Sequence, residues 1–153
     1  MSINQVASFT IENVTNTDHQ ELILLWEDSV RATHDFLTDE DIQFYRDLIL
    51  NQYFDIVQLK CVKDEQGSIV GFLGTSGEKI EMLFIKPELR GKGIGKALLR
   101  YATEELKIRY VDVNEQNLQA VDFYYASGFV LEKRSPVDGM GKPYPVLHLQ
   151  KPV

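Results

Sequence analysis

The chain has 153 residues, 44% of them hydrophobic, and a net charge of −7. That suffices for one domain, 1–153, with a single core, and the acidic balance argues against nucleic acid as a partner. A lone cysteine, Cys61, permits no intrachain disulfide, no apolar run approaches a membrane span, and Met1–Gln5 lacks the charged and apolar regions of a signal peptide, so a soluble cytoplasmic protein without a membrane partner is expected.

Phe9 to Val14 reads as a first strand. Asn16-Thr17-Asp18 offers caps for a helix with Leu22, Leu25, Trp26, Ser29 and Val30 on one face. Thr38-Asp39-Glu40-Asp41 opens a second helix with Ile42, Tyr45, Leu48 and Ile49 as its stripe. Ile56–Lys63 and Ser68–Thr75 form a hairpin around Asp64-Glu65-Gln66-Gly67. Gly77-Glu78 turns into a strand, Ile80–Ile85, and a helix follows over Ile94–Leu106. Tyr110–Asn114 is a short strand and Leu118–Ser127 a helix stopped by Gly128. Phe129–Arg134 and Val146–Lys151 close the chain as strands. The order β-α-α-β-β-β-α-β-α-β-β predicts an α/β domain with a mixed, mostly antiparallel sheet flanked by helices.

Arg90-Gly91-Lys92-Gly93-Ile94-Gly95 stands between the strand ending at Ile85 and the helix from Ile94. Glycine inside a helix costs roughly 0.5–1 kcal/mol relative to alanine, tolerable where a ligand must approach the backbone. Exposed N–H groups at a helix start attract anions, most often phosphate, and Arg90, Lys92, Lys96 and Arg100 add positive charge. The spacing matches neither a P-loop nor a dinucleotide fingerprint, since the last glycine of each would fall at Lys96. What remains is Arg90-x-x-Gly93-x-Gly95.

This motif resembles the acetyl-CoA pyrophosphate loop of the GCN5-related N-acetyltransferases (GNAT). Downstream, Asn114 and Asn117, Ala120, Phe123-Tyr124 and Gly128-Phe129 resemble the second half of the same core. Arg31–Leu37 and Gly141–Pro145 are similar to the small bacterial members of the YjaB type. The resemblance implies that the strands Ile80–Ile85 and Tyr110–Asn114 splay apart and that pantetheine lies between them. It implies acetyl-CoA as cosubstrate, held by Arg90, Gly91, Lys92, Gly93, Ile94, Gly95 and Lys96, by Asn117, and by the backbone of Phe84 and Ile85.

Amide formation from a thioester needs a neutral amine, and a free lysine amine is only about 0.04% neutral at pH 7. Glu81 is the candidate base: alternation puts it beside Leu83 and Ile85 in an apolar strand, where a carboxylate belongs to a cleft or needs a partner. Its place before the glycine loop matches an acidic residue that some family members use as base. Tyr124 matches the tyrosine that protonates the departing thiolate, a step open to a phenol. Asn117 is either the helix cap, a ligand of coenzyme A, or both. His34 lies at the junction of the first two helices, a substrate lid in the family, and Trp26, His34, Phe36 and Tyr144 are candidates for contacting the acceptor. His148, between Leu147 and Leu149, and Cys61 read as structural. No His/Cys spacing suggests a metal.

The expected activity is direct acetyl transfer from acetyl-CoA to a primary amine, on a small molecule or a protein lysine. A non-catalytic acyl-CoA-binding module is the alternative, and the pair Glu81 and Tyr124 counts against it. An acceptor on aminoacyl-tRNA would require a basic face. A closing edge strand leaves monomer and homodimer both open.

Overall fold

The computed structural model describes Gln5–Val6 and residues 9–153. The strands are β1 (Gln5–Val6), β2 (Phe9–Asn13), β3 (Gln58–Lys63), β4 (Ile69–Ser76), β5 (Lys79–Ile85), β6 (Tyr110–Asn114), β7 (Val130–Ser135) and β8 (Val146–Gln150). They form one eight-stranded sheet in the order β1-β2-β3-β4-β5-β6-β8-β7. Neighbours run antiparallel except β5 and β6, which are parallel. The helices are α1 (His19–Thr33), α2 (Asp39–Leu48), a short α3 (Phe54–Ile56), α4 (Ile94–Arg100) and α5 (Leu118–Ala126). The mixed, mostly antiparallel sheet expected from the sequence is therefore present. Strand β1 was not expected; two residues are too few to show a hydrophobic period.

Helix starts follow their local chemistry. Thr15 and Asp18 form a capping box that leads through a 3₁₀ turn into α1. Thr38 Oγ1 accepts the Asp41 N–H at 3.0 Å, and three carboxylates in the first turn of α2 favour the positive end of its dipole. Two helices then depart from the expected pattern. A π-helical turn over Ile49–Tyr53 carries α2 onward into α3, so Ile56 is helical and the strand begins at Gln58 rather than Ile56. The extension sets Phe54, 3% exposed, into the core while Ile56 stays outside. The expected helix Ile94–Leu106 likewise divides into α4 and a π-helical turn, Tyr101–Glu105.

Two apolar layers sandwich the sheet. On one face Ile94, Leu98, Leu99 and Ala102, with Val121 and Tyr124, pack onto Val62, Leu73, Ile80, Val111 and Leu149. On the other, Leu22, Ile23, Trp26, Val30 and Ile42 pack onto Cys61, Phe72 and Met82. Ile80 and Met82 are two residues apart yet belong to opposite layers. Their strand contains a bulge: Gly74 pairs with Met82, but Thr75 pairs with Ile80, leaving Glu81 as an extra residue. The bulge shifts the alternation and bends the strand. Past it, β5 leaves β6, to which it pairs only at Lys79↔Tyr110 and Ile80↔Val111. The expected splay is therefore observed.

Candidate active site

The splay opens a cavity of about 470 Å³ between β5, α4 and α5. Its walls include Phe84 and Ile85 from β5, Arg90, Gly91, Gly93, Ile94, Gly95 and Lys96 from the glycine loop and α4, and Asn117 and Tyr124 from α5. Lys92 is the exception among the expected ligands; it is exposed and does not line the cavity. Gly93 caps α4 at φ 88°, and Gly91 has φ 78°, both in the left-handed region that favours glycine. The first intrahelical bond of the loop is Ala97 N–H to Gly93 O at 3.0 Å, so the N–H groups just before Ala97 are left for a ligand. An added Cβ at Gly95 would meet nothing closer than Phe123 Cζ at 3.6 Å. Packing alone therefore does not demand glycine there, and the missing side chain leaves the backbone open to a ligand. The volume, the free amides and the bare backbone fit a phosphate-bearing cosubstrate.

Tyr124 presents its ring edge-on to Phe123 and Phe129 and is 6% exposed. Its hydroxyl takes no hydrogen-bond partner among the described residues, and burial raises its pKa well above the usual phenol value. Asn117 is the N-cap of α5, its Oδ1 accepting the Ala120 N–H at 3.3 Å. Its Nδ2 reaches His34 Nε2 across the cavity. His34, expected among the acceptor contacts, ends α1 and lines this same cavity near Arg90. Burial, and then the Arg90 charge, lower its pKa to about 4.

A second cavity, about 280 Å³, lies on the opposite side of β5. Trp26 and Phe84 wall it, with Tyr45, Tyr53 and Tyr144, and Glu81 and Asp138 supply its carboxylates. Phe84 lines both cavities, so one residue of β5 separates them. Glu81 corrects the sequence reading. The bulge places it with Met82 and Phe84 in this pocket, not on the side of Leu83 and Ile85, which pack toward α4. Its residue surface is exposed, yet the protein around the carboxyl raises its pKa, Lys79 opposes that, and Asp112 adds to it. Phe36 lines neither cavity; it packs between His34, at 5.3 Å, and Tyr144, at 5.8 Å.

The sequence reading missed how this second cavity is closed. Tyr45 of α2 donates its hydroxyl to Asp138 of the β7–β8 loop, and Tyr144 of that loop donates to Asp41 of α2. Lys142 adds an ion pair to Asp41 at 3.0 Å. Asp138 also accepts the N–H groups of Met140 and Lys142, which shapes the loop around its carboxylate. An Asp followed by Gly-Met-Gly signals a turn, but nothing local connects it to α2. Among the described residues no cluster of His, Cys, Asp and Glu is arranged to hold a metal, and no helix is long and apolar enough to cross a membrane.

A splayed parallel pair with a glycine loop on one side and an aromatic pocket on the other defines an acetyltransferase fold. A model of the acetyltransferase (GNAT) domain matches residues 36–140. The peptidyl-lysine N-acetyltransferase YjaB of Salmonella typhimurium is 41% identical over 143 residues, 92% of this chain and 98% of that protein. YjaB of Escherichia coli is 39% identical over 92% of this chain and 95% of its own, and the solution structure of its apo form superposes with a TM-score of 0.84, covering 93% of this chain and 96% of that one. A crystal structure of a PaiA N-acetyltransferase from Thermoplasma acidophilum with coenzyme A has the same fold, with a TM-score of 0.74 at 22% identity, covering 94% of this chain and 99% of that one. The chain belongs to the GNAT acetyltransferase family. Acetyl-CoA is the acetyl donor of this family.

Proposed function

We propose that this N-acetyltransferase acts on lysine side chains of proteins, with Glu81 and Tyr124 as its proton-transfer groups. Acetyl transfer from acetyl-CoA to a primary amine is the reaction of the chain. The observation that carries the proposal is the pair of cavities meeting at Phe84, one lined by the glycine loop and the other by aromatic rings and carboxylates. Aromatic walls suit the methylene stem and cationic head of lysine, and Glu81 and Asp138 attract its charge. The peptidyl-lysine activity of the relatives at 39–41% identity agrees with this acceptor.

Bound acetyl-CoA supplies the thioester carbonyl that the amine attacks. The amides at the start of α4, with Arg90 and Lys96 beside them, would hold its pyrophosphate, and the β5 backbone at Phe84 and Ile85 would hold its pantetheine arm. Glu81 takes the proton of the incoming ammonium, for which its raised pKa suits it. Tyr124 keeps its proton at any ordinary pH because it is buried, so it can donate to the departing sulfur. His34, uncharged near neutrality, positions Asn117 and carries no proton in the reaction. Cys61 is fully buried and its pKa is raised to about 11, which speaks against a covalent acetyl-cysteine route.

The test is an acceptor comparison at equal concentration: lysine-containing peptides and a folded protein against free polyamines, with thiol release as the rate and mass spectrometry locating the acetyl group. Faster transfer to peptide lysine is the expected result. Preference for the small amines would reassign the acceptor while leaving the family chemistry in place.

A further inference from the structure

Three side chains from three neighbouring strands form a line on the sheet face away from α4 and α5. Val111, Val113, Leu147 and Leu149 turn into the α4/α5 layer, so Asp112 of β6 and His148 of β8 face the opposite way. The layer beneath α1 and α2 draws its strand residues from β3, β4 and β5 and leaves this end of the sheet outside it. There, Ser135 Oγ lies 2.7 Å from His148 Nε2, and His148 Nδ1 lies 2.7 Å from Asp112 Oδ1. Lys79 Nζ holds the other carboxylate oxygen, Asp112 Oδ2, at 2.8 Å.

The hydrogen positions follow from the partners. A carboxylate paired with a lysine only accepts, so Nδ1 of His148 carries the proton that it donates to Asp112. In the neutral ring Nε2 then presents its lone pair, and the Ser135 hydroxyl donates to it. Nucleophile, base and orienting carboxylate are thus in hydrogen-bond contact in that order, the geometry by which serine nucleophiles are recognised on unrelated folds. The side chains of His148 and Asp112 retain 22% and 31% exposure, and Ser135 is half-buried at the end of β7, so a small reagent can reach the hydroxyl.

We propose that Ser135 is a second reactive centre of this protein, activated by His148 and Asp112 and acylated by small activated carboxylic esters such as aryl acetates. The bond from Ser135 Oγ to the carbonyl carbon forms as the bond to the aryl oxygen breaks. The Ser135 proton passes to His148 Nε2 and from there to the departing aryl oxide. Water then attacks the acyl-serine, giving one proton to His148; the bond to Ser135 Oγ breaks as Oγ recovers that proton, and acetic acid leaves and ionises in solvent. Neither Glu81 nor Tyr124 takes part, and the site does not rest on the acetyltransferase reading.

The test uses the whole folded protein, without acetyl-CoA, and two probes. A fluorophosphonate should form an adduct that peptide mass mapping places on Ser135, at least tenfold more slowly in His148→Gln. Release of 4-nitrophenolate from 4-nitrophenyl acetate should fall at least tenfold in Ser135→Ala, while acetyl transfer from acetyl-CoA stays at the wild-type rate. A cross-strand ladder that only joins β6, β8 and β7 gives no adduct at Ser135, and that result overturns the proposal. Ester cleavage unchanged in Ser135→Ala, a conservative replacement at a strand end, overturns it as well. If His148→Gln fails to fold, His148→Asn supports the same comparison.

Discussion

Asn117 Nδ2 and His34 Nε2 stand 3.4 Å apart across the cavity lined by the glycine loop, joining the end of α1 to the start of α5. The chain of donors is consistent along its length. Thr33 Oγ1 donates to Ser29 O at 2.7 Å, so it accepts from His34 Nδ1, also at 2.7 Å, which leaves Nε2 free to accept from Asn117. Asn117 Oδ1 meanwhile caps α5. One neutral imidazole thus ties together helices from the two layers of the fold.

This contact makes stability depend on pH. His34 has a folded pKa of about 4, below the ordinary value of 6.5. As pH falls below the ordinary value, the unfolded chain takes up a proton that the folded one refuses, so stability declines from pH 6.5 toward pH 4. Between pH 7 and pH 5 the wild type should lose about 1–2 kcal/mol more than His34→Gln, which cannot titrate. Urea unfolding of both proteins at the two pH values measures the difference. Equal losses would show that His34 is not buried as an uncharged ring.

The glycine loop can be tested without disturbing the fold. Gly95 is the second residue of α4, where a carboxylate is favourable to the helix dipole and aspartate has a better helix propensity than glycine. Gly95→Asp should keep or raise Tm. The same carboxylate would face the cosubstrate pyrophosphate, and affinity for acetyl-CoA should fall at least tenfold by calorimetry. Replacing Gly93 would be a poorer probe, since φ 88° strains any other residue there.

Tyr124→Phe removes a hydroxyl that bonds to no other described residue, so the fold loses no hydrogen bond. Stability should change by less than about 1 kcal/mol. Turnover should fall by about 10²–10⁴-fold, the usual contribution of a positioned acid, with acetyl-CoA affinity nearly unchanged. Wild-type turnover, with chemistry limiting the rate, would make Tyr124 a packing residue.

Glu81→Gln keeps the bulge and the pocket but removes the carboxylate proposed as base. Because the carboxyl pKa is raised, the wild-type rate should decline on the acid side at a higher pH than an ordinary carboxylate would give. The variant should be slowest near neutrality and recover in part at high pH, where free amine is abundant. A loss that is uniform across pH would assign Glu81 to positioning instead.

The β7–β8 loop should act on the acceptor alone. Tyr45→Phe with Tyr144→Phe removes both hydroxyls that fasten the loop to α2. KM for a lysine peptide should rise several-fold while the Kd for acetyl-CoA stays constant, because the two cavities share Phe84 and not the loop. Parallel changes in both constants would mean that the loop supports β5 as well.

The sequence by itself determined what depends on neighbours along the chain. Thr38 caps α2 through Asp41, three residues on, and Asn117 caps α5 through Ala120. The stripe of Leu22, Leu25, Trp26 and Val30 marks the buried side of α1, and Gly93 with Gly95 marks the turn that opens α4. These signals are local, so spacing reveals them. Tertiary structure decided the rest. Only pairing with β4 makes Glu81 a bulge residue, and that single extra residue moves it from the face alternation predicts into the second cavity. Tyr45 and Asp138 lie 93 positions apart, and His34 and Asn117 83 apart. No period or cap carries such information, because which strands and loops meet is settled by burial of the whole sheet rather than by any segment of it.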